Sequence, residues 1–271
     1  MKRWYFAGGI FLAAVCVLCM GMLLLPKKKS TSEVEARIAA ELDSRENERK
    51  ENEKSEEKNG PINNSDKNFE ASEENYVSPI DFKALQEENP DIYAWLYLPD
   101  TGISYPILQR EDDGTFYLDH NSECEEDKNG ALFSESKYNG RDFTDPVTVI
   151  YGHHMRSGAM FGQLQALYSE SDSLEKYREM FVYLPEEEQK YEAFAALPFE
   201  SDHILYYYDF SQESDYLSFL NRIYAVRQMG AKTDSVRRAD PDDQLLILST
   251  CLSGNNKKRY LVLAKRIDDK K

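Results

Sequence analysis

Cysteine is scarce in this chain of 271 residues, which holds four, and histidine is no commoner. A disulfide scaffold therefore does not hold the fold. Basic charge is also short: 33 Lys and Arg stand against 49 Asp and Glu, a net charge of -16. A nucleic-acid partner is not expected, because phosphate backbones attract a basic face and no DNA- or RNA-binding motif is present. The chain has no Gly-rich phosphate loop and no internal repeat. Metal chemistry is not expected either. The only paired histidines, His153 and His154, are adjacent, and neighbouring strand residues point to opposite faces. No cofactor is expected.

Long apolar runs are limited to one. From Trp4 to Leu25 the segment WYFAGGIFLAAVCVLCMGMLLL carries no charge, and a bilayer crossing needs ~20 such residues. The run ends in Leu23-Leu24-Leu25-Pro26, a poor cleavage site, so residues 1–29 read as an uncleaved anchor that meets the lipid bilayer through residues 4–25. Lys2 and Arg3 precede it and Lys27, Lys28 and Lys29 follow, so flanking charge does not decide orientation. Residues 30–75 are nearly half charged, with Phe69 the only aromatic. They read as a charged flexible tether, although Val34, Ile38 and Leu42 allow a short helix.

Aromatics return at Tyr76, and residues 76–271 suffice for one core. Ile80 to Ala94 reads as helical, with Pro90 opening a second helical turn. Short β-forming segments then recur: Trp95 to Leu98, Ile103 to Gln109, Ala131 to Ser134, Val147 to His153, Met180 to Leu184, Tyr191 to Pro198, Leu245 to Cys251 and Tyr260 to Ile267. Turn residues separate them, which predicts a mainly β barrel or sandwich. Ser211 to Gly230 breaks the pattern with Leu217, Leu220, Ile223 and Tyr224 at helical spacing.

Of the four cysteines, Cys16 and Cys19 lie in the apolar run and Cys124 in the acidic stretch SECEED, which discourages a reactive thiolate. Cys251 differs. The apolar strand Leu245 to Leu248 turns polar at Ser249 and Thr250 just before it. Arg259 follows after a short polar loop and opens another apolar strand. Two strands so joined are expected to be antiparallel neighbours, with thiol and guanidinium facing each other. A thiolate that attacks a carbonyl needs its oxyanion stabilised, and a guanidinium supplies fixed donors with charge. The plainer reading of Cys251 is a buried inert thiol.

Acyl transfer through Cys also needs a proton carrier. His120 and His203 read as surface histidines in polar segments. His153 ends the apolar run Val147 to Tyr151, with Gly152 permitting a close turn.

These residues resemble the sortases, class B in particular. Tyr151-Gly152-His153-His154-Met155 with Gly158-Ala159-Met160-Phe161 is similar to that family's histidine segment. Leu248-Ser249-Thr250-Cys251 with Arg259 is similar to its cysteine ending. Phe82 to Leu98, Tyr105 to Gln109 and Gly130 to Phe133 also match, in the family's order, and Ser211 to Gly230 resembles the class B insertion between the sixth and seventh barrel strands.

The resemblance implies an eight-stranded sortase-type β-barrel with peripheral helices, an N-terminal helix and a long helix between late strands. It implies a cysteine transpeptidase with Cys251 as nucleophile, His153 as acid and base, and Arg259 at the oxyanion. Ser249 and Thr250 are the candidate substrate-binding residues. The implied partners are secreted proteins with a C-terminal sorting motif, and an amine of the peptidoglycan cross-bridge or of a pilin Lys. The implied placement is single-pass in a Gram-positive cell membrane, N-terminus cytoplasmic and catalytic domain extracellular. A hydrolysing cysteine peptidase and an inactive peptide-binding barrel are the alternatives. A papain-type order, with Cys at an early helix N-terminus and His downstream, is not the order here.

Overall fold

Apolar β-formers punctuated by turn residues build a closed sheet in the computed structural model, which describes residues 31–58 and 76–267. The strands are β1 (Ile92–Leu98), β2 (Ile103–Leu108), β3 (Leu132–Phe133), β4 (Val147–Tyr151), β5 (Glu179–Tyr183), β6 (Glu188–Glu200), β7 (Lys232–Thr233), β8 (Leu245–Leu252) and β9 (Asn255–Ile267). Eight of them run β5-β1-β2-β3-β4-β8-β9-β6 around a ring that the β5–β6 pairing closes, and β7 adds to the side of β6. The β2–β3 and β4–β8 pairs are parallel and the other pairs of the ring antiparallel. Closure leaves few exposed strand edges.

Period-two alternation divides the ring into two packed faces. Leu246 and Leu248 of β8 point into the barrel, with Leu96, Ile107, Ile150, Tyr260 and Val262. Leu245 and Ile247 point outward, with Val147, Val149, Leu261 and Leu263, beneath a helix. That helix, α6 (Glu213–Ala225), follows α1 (Thr31–Lys58), α2 (Phe82–Glu88), α3 (Leu164–Leu167), α4 (Ser173–Lys176) and α5 (Ile204–Tyr207) in chain order. The long helix thus lies between the sixth and seventh strands of the ring, β6 and β8. Its buried residues are Tyr216, Phe219, Leu220 and Ile223, with Tyr224 packed against the same cluster, so three of the four expected positions face inward and Leu217 does not. Leu217 is 41% exposed. Each fully buried large apolar side chain contributes ~1.5–3 kcal/mol relative to exposure.

The N-terminal part differs from the sequence reading in three respects. First, Pro90 does not open a second helical turn. The Asp81 side chain accepts from Ala84 N–H to cap α2, which stops at Glu88, and β1 already starts at Ile92. The Asn89 carbonyl accepts from Ile92 N–H at 3.2 Å, closing the turn between them.

Second, the charged stretch holds the 28-residue α1. The contacts divide the chain into Met1–Val34 and Glu35–Lys271. Within the second unit α1 buries Ile38 and Leu42, Tyr97 donates to Asp43 at 2.7 Å, and Lys50 pairs with Asp100 at 2.8 Å.

Third, the expected single-pass membrane placement, with a cytoplasmic N-terminus and an extracellular catalytic domain, is corrected. No helix among the described residues is long and apolar enough to cross a membrane. The longest, α1, is dominated by Glu, Lys and Arg, whose charges hydrocarbon does not solvate. Residues 4–25, named for the bilayer contact, lie outside the described residues.

Candidate active site

The site grows from the ends of three adjacent strands. β4 and β8 run parallel with Tyr151 opposite Ser249, and Gly152 N–H extends the ladder by donating to the Ser249 carbonyl at 3.1 Å. β4 ends at Tyr151, so His153 follows two residues beyond the strand that neighbours β8. Gly152 has to lack a side chain, because a Cβ there would run into Leu132 and Phe161. On the other side β8 and β9 are antiparallel, and Cys251 lies opposite Arg259. Arg259 Nη1 is 3.7 Å from Cys251 Sγ. The thiol is free and half-buried, so it is held in place without being sealed from a substrate.

β8 and β9 are longer than the sequence suggested, and β4 is two residues shorter. β8 and β9 turn over through Ser253 and Gly254, with a register shift just beyond Cys251. Ser253 N–H donates to Gln165 Oε1 at 3.0 Å, which ties this turn to α3. Alternation places Cys251 and Ser249 on the outer face, that of Leu245 and Ile247, and Thr250 on the inner one, opposite Tyr260. Thr250 is 2% exposed and its hydroxyl is buried without a hydrogen-bond partner. Its side chain therefore does not share the face of the thiol, whereas Ser249 does.

His153 Nε2 lies 2.6 Å from the Leu118 carbonyl, and the His153 carbonyl accepts from Phe161 N–H at 3.0 Å. The loop after β4 folds back through a bridge between His154 and Met160, and His154 Nδ1 is buried. The two adjacent histidines thus have different surroundings, and only His153 reaches the loop around Leu118.

A polar cluster that sequence reasoning missed stands on the same outer face. His203 read as a surface residue, yet it is half-buried. Its Nδ1 accepts from Tyr206 N–H to cap α5, and its Nε2 meets Glu135 Oε2 at 2.7 Å. Since Nδ1 accepts, Nε2 carries the proton toward the carboxylate. Tyr138 and Tyr151 flank the His203 ring at 4.9 and 6.3 Å, and Phe133 stacks on Tyr151 at 5.4 Å. Burial raises the Tyr151 phenol well above its ordinary range. The neighbouring Glu135 carboxylate pushes it the same way, and Arg259 opposes them. The remaining histidine, His120, stacks on Phe116 at 3.8 Å and pairs with Asp119 at 2.7 Å. Cys124 is free and exposed, so it forms no disulfide with Cys251.

This arrangement can perform nucleophilic acyl transfer. A sulfur nucleophile, a guanidinium beside it and an imidazole at the end of the neighbouring strand are the three parts such chemistry uses. The chain also resembles known proteins. The Sortase domain family matches residues 96–267. Sortase B of Listeria monocytogenes is 32% identical over 171 residues, covering 63% of this chain and 67% of that protein. A Staphylococcus aureus sortase B–substrate complex superposes with a TM-score of 0.60 at 26% identity, over 72% of this chain and 88% of that one. A sortase B complexed with triglycine gives 0.61 at 26% identity, over 73% and 89%.

Proposed function

Because the chain belongs to the sortase family, and within it to class B, we propose that Cys251, His153 and Arg259 carry out its reaction. The protein is a sortase-type cysteine transpeptidase of cell-wall sorting. The finer reading concerns how the reaction runs. Cys251 thiolate attacks the scissile carbonyl of a C-terminal sorting signal, and Arg259 stabilises the oxyanion. The C–N bond breaks as His153 imidazolium protonates the departing amine, leaving a thioester on Cys251. An acceptor amine then attacks the thioester, gives its proton to His153, and releases the thiolate. The acceptor is an amine of the cell-wall cross-bridge or a pilin lysine. The substrate and the triglycine of the two sortase B complexes support a peptide donor and an amine acceptor. Ser249, on the face of the thiol, is assigned the hydrogen bond to the bound signal, and residues 76–271 are assigned as the catalytic domain.

The observation that carries this reading is the cross-strand pair of Cys251 and Arg259 at 3.7 Å. Incubating the protein with a fluorogenic sorting peptide, with and without an added amine, tests it. A joined product that vanishes in Cys251→Ala is expected. Cleavage without joining identifies a peptidase, and turnover retained in Cys251→Ala ends the assignment.

A further inference from the structure

We propose that the Leu118 carbonyl anchors His153 through Nε2, that Gly130 is the positioning residue which keeps this contact in place, and that Nδ1 is therefore the nitrogen that moves protons. The inference rests on the reading of His153 as the proton carrier. A carbonyl oxygen has no hydrogen to give, so at 2.6 Å the proton between them belongs to Nε2. It stays there whether the ring is neutral or charged. The transferable proton is then the one on Nδ1. It goes to the departing amine as the C–N bond breaks and the thioester forms, and it is regained from the acceptor amine as the C–S bond breaks.

The anchor is built by the chain from Phe116 to Ala131. Phe116–Leu118 forms a single 3-10 turn. Leu118 N–H donates to the Thr115 carbonyl at 2.9 Å, and Ala131 N–H donates to the Tyr117 carbonyl at 3.0 Å. Gly130 closes this arch with a φ of +59°, in the left-handed region that a side chain disfavours. A Cβ there would lie 2.5 Å from the Tyr117 carbonyl oxygen, 2.9 Å from that of Leu118, and 3.2 Å from His153 Cδ2. Cδ2 is bonded to Nε2, so one added carbon would press on both halves of the anchoring contact.

The experiment combines NMR with kinetics. With histidine ¹⁵N-labelled, long-range ¹H–¹⁵N spectra of the full chain report the tautomer of His153. The Nε2–H form is expected in the unaltered protein, and a mixed population in Gly130→Ala. In peptide joining, Gly130→Ala is expected to lower kcat by at least about tenfold with KM within about twofold, since small misplacement of a catalytic group is costly. Gly130→Asn separates the causes. Asn tolerates the left-handed backbone but still adds the Cβ, so it should be as slow as Ala. A dominant Nδ1–H tautomer, or a folded Gly130→Ala with normal kcat, overturns the proposal. Should neither variant fold, the tautomer of the unaltered protein decides. His153→Ala tells the two levels apart. If it keeps full activity, the proton-carrier reading itself falls. If it is inactive while the tautomer is Nδ1–H, only the anchoring proposal fails.

Discussion

Arg259 Nη1 sits 3.7 Å from Cys251 Sγ because the two residues are direct partners across the β8–β9 ladder. The backbone pairing of the two strands fixes the positions from which both side chains start. Arg259→Lys keeps the charge but loses the planar fork with its fixed donor directions. We expect kcat for peptide joining to fall by ~10²-fold, the scale of removing one oxyanion donor, while the fold stays intact. Steady-state kinetics with a circular-dichroism control checks this, and near-normal rates would take Arg259 out of the oxyanion role.

His203 should matter for stability in its own right. It caps α5 and holds Glu135 at 2.7 Å. His203→Ala removes the cap, worth ~1 kcal/mol, and leaves the half-buried carboxylate without that donor. A loss of ~1–2 kcal/mol in urea unfolding is expected. His203→Asn, which can still cap, should recover part of it.

The pairing of Cys251 with Arg259 across two strands was legible in the sequence, and what was not has physical reasons. Cys251, Arg259 and His153 stood out because each closes or opens an apolar run, and a strand end is a local pattern. For Thr250 the sequence carries a signal against a substrate contact. If Cys251 faces outward, strand alternation turns its neighbour inward. Leu118 could not be found, because its part is played by a backbone carbonyl, which every residue has. Glu135, Tyr151 and His203 meet only after barrel closure brings β3, β4 and the chain after β6 together. In α1 the charge of the segment masks the buried positions Ile38 and Leu42, whose spacing alone supports a short helix rather than one of 28 residues.

Two positions of α6 offer a direct comparison. Phe219 is fully buried, with Phe210 and Tyr208 both at 5.3 Å and Phe199 at 6.3 Å. Phe219→Ala should cost ~3–5 kcal/mol. Leu217, which the sequence placed on the buried face, is 41% exposed, and Leu217→Ala should stay within ~0.5 kcal/mol. Equal losses in urea unfolding would mean that the helix is rotated from the position described.

Glu35 gives the docking of α1 a pH dependence. Its carboxyl is raised from 4.5 to about 7, chiefly by burial. Glu123 adds to the rise, and the hydrogen bond from Ser122 opposes it. The folded protein thus binds this proton more tightly than the unfolded chain does. The stabilisation it gives is complete below the ordinary carboxylate range and is lost as pH rises through about 7. Glu35→Gln stays neutral throughout. We expect the variant to match the parent near pH 4 and to exceed it in stability at pH 8. Other groups titrate in the same interval, histidines among them, so the quantity to read is the difference between the two unfolding curves. A difference that does not change between pH 4 and 8 would show that the Glu35 proton plays no part in holding α1 against the barrel.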